Sequence, residues 1–177
     1  KKSISENLDE YWTSDFYQSI RKKMLHNQHI DNCMPCYNKE AIGEISERDR
    51  YTRMFEDRNI EVDPVQGNQY KTPIDFELRP GNLCNLKCRM CNPYASNQWV
   101  DEWELIEEWK DPNEKIRLAK MDWPNNPATW TNLEPILDTI KMIYLTGGEP
   151  TLAVEQYKLF DICIERGIAK NIILKYN

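Results

Sequence analysis

Five of the six cysteines in this 177-residue sequence stand in two tight groups, Cys33 with Cys36 and Cys84 with Cys88 and Cys91. Thiolates separated by two or three residues have ligand spacing, because one loop can then wrap a single centre. Four cysteines would saturate the irons of a four-iron cluster. The triplet supplies three, and no neighbouring Cys, His or Asp completes the set. One iron would then stay open to a substrate or cofactor. The same thiolates with a distant fourth ligand would also suit zinc, although a three-residue gap is unusual there. Spacing alone leaves both readings open.

A second chemical signal is Gly147-Gly148-Glu149-Pro150. Two glycines let a backbone approach a ligand closely. Their carbonyl oxygens and the Glu149 carboxylate can accept hydrogen bonds from an ammonium group. The plainer alternative is a strand-to-helix turn, with Glu149 placed to favour a helix start.

The elements that must position these residues follow from periodicity. Helical signals run through residues 3–28, with stripes at Leu8, Tyr11 and Trp12 and then at Phe16, Ile20, Met24 and Leu25. Cys33-Met34-Pro35-Cys36 reads as a tight turn, and Tyr37 to Phe55 as partly helical. Residues 56–73 read as a linker, placing a domain boundary near residue 70, between 1–70 and 71–177. Beyond it, Ile74 to Leu78 alternates as a strand, and the cysteine triplet follows directly. Residues 96–110 read as a helix whose Trp99, Trp103 and Trp109 pack on a sheet, and residues 111–132 as mostly loop. A short helix is expected at 133–140, a buried strand at 141–146, a helix over 154–166 closed by Gly167, and a strand at 171–176. Alternating strands and helices predict an α/β fold with parallel strands and crossover helices. Cys163 reads as a buried apolar residue, and His26 and His29 as surface residues.

The composition excludes several classes. With 40% hydrophobic and 29% charged residues the chain can build a core. No apolar run reaches membrane-spanning length, and no signal peptide is visible, so a cytoplasmic protein that uses its cysteines as thiols or ligands is expected. The net charge of −6 disfavours nucleic acid as a partner. The missing initiator Met and the three expected strands suggest a part of a longer protein.

Cys84-x3-Cys88-x2-Cys91, followed 56 residues later by Gly147-Gly148-Glu149, resembles the radical S-adenosylmethionine (SAM) superfamily over about residues 74–177. The resemblance implies the first half of a partial TIM-type (β/α)6 barrel. It implies that Cys84, Cys88 and Cys91 ligate three irons of a [4Fe–4S] cluster whose open iron chelates SAM. Gly147, Gly148 and Glu149 would hold the SAM ammonium group, and Met90 would lie near the adenine. Reductive cleavage of SAM would give methionine and a 5′-deoxyadenosyl radical that abstracts hydrogen from substrate, with the electron coming from a flavodoxin or ferredoxin. The segment leading to Cys33 and Cys36 resembles the twitch or SPASM-type accessory domains of that superfamily, which bind an auxiliary iron–sulfur cluster. On that likeness the substrate is a peptide or protein. Two other readings stay open: a zinc or redox-binding module with no activity, and an inactive cluster-binding partner subunit. At Cys33 and Cys36 the spacing also suits zinc or a redox-active dithiol.

Overall fold

The computed structural model describes residues 8–60, 73–106, 112–119, 121, 130, 132–154 and 156–177. They form two compact units, one within 9–71 and one within 72–177 to which Leu8 also belongs.

The first unit is helical. After the short helix α1 (Leu8–Trp12) comes α2 (Asp15–Leu25), with Asp15 in its first turn and Lys22 and Lys23 in its last. Those charges complement the helix dipole at both ends. A 3-10 turn over Asp31–Cys33 leads into α3 (Met34–Ala41), and Pro35 occupies its first turn, where no backbone hydrogen bond is lost. The motif Cys33-Met34-Pro35-Cys36, expected as a tight turn, is therefore the start of a helix. In α4 (Glu47–Asp57) the cap is a reciprocal box: Ser46 accepts from the Asp49 amide at 3.1 Å, and Asp49 accepts from the Ser46 amide at 3.3 Å. The buried Ser46 hydroxyl also donates to Glu40 at 2.6 Å. Glu40 is ion-paired with Arg48, whose guanidinium lies 5.4 Å from the Tyr37 ring centre. Hydrogen bonds from Arg48 and then Ser46 hold the Glu40 carboxyl below its usual range.

The second unit is a mixed helix-and-sheet structure around a three-stranded parallel sheet in the order β1 (Asp75–Leu78), β2 (Met142–Leu145), β3 (Ile173–Tyr176). Successive side chains on a strand point to opposite faces. On one face Leu78, Ile143 and Leu145 join a buried core with Trp130, Leu133, Ile136, Leu137, Ile140, Leu159 and Cys163. Leu159 and Cys163 come from α6 (Gln156–Glu165), which Gly167 terminates at φ +69°. The other face carries Asp75, Glu77, Tyr144 and Lys175, in register as Glu77–Tyr144–Lys175. There the Lys175 ammonium sits 4.5 Å from the Tyr144 ring centre.

The parallel α/β order matches the periodicity. Two expectations between the strands do not hold. Residues 96–106 form 3-10 turns over Asn97–Trp99 and Trp103–Leu105 and no α-helix, because Ser96 and Asn97 direct their side chains at nearby backbone. Trp109 lies outside the described residues. The stretch read as loop contains the helix α5 (Pro112–Ala119), which starts on a proline. Of the linker expected at 56–73, Glu56 and Asp57 instead close α4, and residues 61–72 lie outside the described residues. Among the described residues no helix is long and apolar enough to cross a membrane.

Candidate functional site

Both sequence signals sit at the carboxyl ends of adjacent parallel strands. Beyond β1 the chain turns through Gly81, at φ +109°, into the buried Asn82. The Asn82 side-chain amide donates to the carbonyls of Pro93 at 2.8 Å and Leu118 at 3.0 Å, closing the base of the loop that holds the triplet. The 3-10 turn at 97–99 supports this loop. Asn97 accepts from the Cys84 amide at 3.0 Å, and Gln98 donates to the Cys84 carbonyl at 3.1 Å. Ser96 donates to the Leu86 carbonyl at 2.8 Å, and the Trp99 indole to the Cys88 carbonyl at 3.0 Å. Trp99, expected against the sheet, is thus a support of the cysteine loop. Its ring also lies 4.8 Å from the Lys87 ammonium, which pairs with Glu102.

The three thiols share this short, hydrogen-bonded loop. The Leu86 amide donates to the Cys84 sulfur at 3.4 Å, and the Cys91 amide to the Cys88 carbonyl at 3.0 Å. Cys88 is exposed, while Cys84 and Cys91 are half-buried. Partial burial pushes the Cys91 thiol up, and Cys88 and Cys84 beside it push it further. Met90 projects into solvent with 93% of its surface exposed.

The end of β2 is joined to the root of this loop. The Gly148 amide donates to the Gly81 carbonyl at 3.2 Å and the Glu149 amide to the Leu83 carbonyl at 2.7 Å, one residue before Cys84. Gly147 has φ +119°, and a Cβ there would stand 2.6 Å from the Gly81 oxygen. A Cβ on Gly148 would collide with the Leu83 carbonyl. The sequence predicts that these glycines make room for a ligand; the group they admit is the backbone of the cysteine loop itself. Glu149 caps the following turn, accepting from the Thr151 amide at 3.2 Å and its hydroxyl at 2.6 Å. Those bonds hold its carboxyl below the usual range, and the residue is half-buried.

Every cysteine and histidine of the sequence is described. Among the described residues no three His, Cys, Asp or Glu side chains converge as one metal ion requires. Three thiolates on three irons of a cluster need not meet at a point, whereas zinc ligands must. Cys33 and Cys36 lie in the helical unit, half-buried and free; Cys163 is buried in the sheet core, and His26 and His29 are exposed. No protein-family model, curated protein or solved structure matches the chain.

Proposed function

We propose that the chain belongs to a radical SAM enzyme, with Cys84, Cys88 and Cys91 as ligands of a [4Fe–4S] cluster and Gly147 to Glu149 beside it as part of a SAM site. The observation that carries this reading is the pair of hydrogen bonds joining the Gly148–Glu149 backbone to Gly81 and Leu83. Two signals 56 residues apart in sequence thereby form one contiguous rim at the carboxyl ends of β1 and β2. Parallel α/β folds build their active sites at such ends. When bound, the cluster supplies the electron that cleaves the SAM sulfonium, and the protein contributes binding, orientation and exclusion of water.

In this reading the Asn82 bonds and the turn at 97–99 hold the backbone of the loop that carries the three cluster ligands. The half-buried Glu149 carboxylate accepts from the SAM ammonium, with Thr151 orienting it. The three strands are the first of a (β/α)6 barrel, the helical unit is a twitch-like accessory domain, and a flavodoxin or ferredoxin is the reductant. A peptide or protein is the substrate class.

The test is anaerobic reconstitution with iron and sulfide, followed by EPR of the reduced protein with and without SAM. A reduced-cluster signal that SAM perturbs, and that Cys84→Ala, Cys88→Ala and Cys91→Ala each abolish, is the expected result. Formation of 5′-deoxyadenosine with dithionite separates an active enzyme from an inactive cluster-binding subunit. Tightly held zinc without acid-labile sulfide would overturn the proposal.

A further inference from the structure

We propose that Cys33 and Cys36 form a redox-active dithiol that exchanges with disulfides of the glutathione class. The pair occupies fixed places at one helix end: Cys33 is the residue preceding α3, and Cys36 is the third residue within it. Residues three apart on a helix are neighbours on one face, about 5–6 Å between Cβ atoms. A disulfide needs Cβ atoms roughly 3.5–4.5 Å apart, so a small shift at the junction of the 3-10 turn and α3 closes the bond. Pro35, between the two, fixes its backbone in the first turn of the helix without costing a hydrogen bond. Both sulfurs are free and only half-buried, so an incoming disulfide reaches them.

The donor set also points away from a metal at this place. The sequence offers His26 and His29 as the imidazoles nearest the pair, and both are engaged elsewhere. The His29 ring lies 5.1 Å from that of Tyr37 and its Nε2 is 3.5 Å from Asp31, while His26 Nδ1 is 2.8 Å from the Lys22 carbonyl. Two thiolates are a complete set for disulfide chemistry and half a set for zinc. The same helical unit also holds a cavity whose lining includes neither cysteine. A pocket of about 310 Å³ opens between Met24, Asn27, Gln28, His29, Tyr37 and Arg48, and Tyr37 directly follows Cys36. Its polar lining suits the amide and carboxylate groups of a short peptide.

The step balances as thiol–disulfide exchange. The Cys33 thiolate attacks one sulfur of R–S–S–R, forming a mixed disulfide and releasing one RS⁻. The Cys36 thiolate then attacks the Cys33 sulfur, closing the Cys33–Cys36 bond and releasing the second RS⁻. Two electrons pass from the dithiol to the added disulfide, and the two thiol protons go to the released thiolates.

The experiment uses the full chain in oxidised and reduced glutathione mixtures of graded poise, followed by alkylation, trypsin and mass spectrometry. Cleavage after Lys23 and Lys39 isolates residues 24–39, which contain Cys33 and Cys36 and no other cysteine. The expected result is one two-electron transition of that fragment from doubly alkylated to internally disulfide-bonded. Cys36→Ser then stops at a glutathione adduct on Cys33. The proposal is overturned if both thiols remain alkylated at every poise. It is equally overturned if the isolated protein holds iron or zinc that Cys33→Ser with Cys36→Ser removes and Cys84→Ala with Cys88→Ala and Cys91→Ala does not. The first outcome depends on neither the triplet nor SAM, and in the second the triplet variant separates a failure of this proposal from a failure of the proposed function.

Discussion

Gly148 and Leu83 decide more about the candidate site than any charged group near it. Their backbones touch so closely that a Cβ on residue 148 overlaps the Leu83 carbonyl oxygen and crowds the Asn82 carbonyl carbon, at 2.7 Å. These are backbone atoms held in a hydrogen-bonded junction, so they cannot swing aside as a side-chain end would. Gly148→Ala is therefore expected to destabilise the chain by about 1–3 kcal/mol, the usual cost of overpacking a tight contact. Urea unfolding in the absence of iron and SAM measures it, and a midpoint unchanged from wild type would show that the junction yields. The glycines were visible in the sequence as places needing close approach, but the approaching group was not. Leu83 lies 65 positions earlier, and only the pairing of β1 with β2 brings it there. Asn82, Asn97 and Trp99 were missed for the same reason: their partners on the cysteine loop are defined by the fold and by no local pattern.

At the scale of elements, what could be read beforehand was the alternation of strands and helices, because period-2 and 3.6-residue patterns are local properties of the chain. Leu145 announces itself in the apolar run from Met142, Leu78 by its alternation with Phe76, and α6 by its amphipathic period. The turns over 97–105 did not, since Trp99 and Trp103 recur at helical spacing while Ser96 and Asn97 bind backbone and prevent the helix. The polar face of the sheet gives a testable consequence at Asp75. Partial burial raises its carboxyl pKa, the neighbouring Glu77 raises it further, and Lys175 and the Phe76 amide only partly offset this. A carboxyl whose folded pKa exceeds its unfolded value, about 3.9, favours folding in its protonated form. That contribution is fully present below the unfolded pKa and is lost as pH rises through the folded one. Asp75→Asn, which stays neutral, should thus be more stable than wild type at pH 7, with the gain vanishing in acid near the unfolded pKa. Denaturant midpoints across that range check the sign; a variant less stable at neutral pH would contradict it.

Across the whole molecule the apolar burial is uneven, and stability should follow it. Of the buried hydrophobic side chains, Ile30 belongs to the helical unit, while Leu78, Leu133, Ile136, Leu137, Ile143, Leu145 and Leu159 belong to the sheet unit, each at 2% exposure or less apart from Ile30. Removing apolar surface from water contributes roughly 25 cal/mol per Å², and helices of 5 to 11 residues such as α1 to α4 are marginal without it. What holds α4 in place of a core is polar: the Ser46–Asp49 box, and Glu40 bonded to both Ser46 and Arg48. Part-buried and exposed bonds of that kind, with little apolar core around them, open at lower free energy than core strands do. Hydrogen exchange followed by mass spectrometry should accordingly find the amides of α2 exchanging at least about 10-fold faster than those of β2, a gap of roughly 1.4 kcal/mol. Equal protection in the two would mean that the helical unit draws its stability from something other than its own buried side chains. Faster opening around α3 also bears on the dithiol, because closing Cys33 onto Cys36 requires the helix end to shift, and a unit with so few buried apolar side chains permits that shift without disturbing the sheet core.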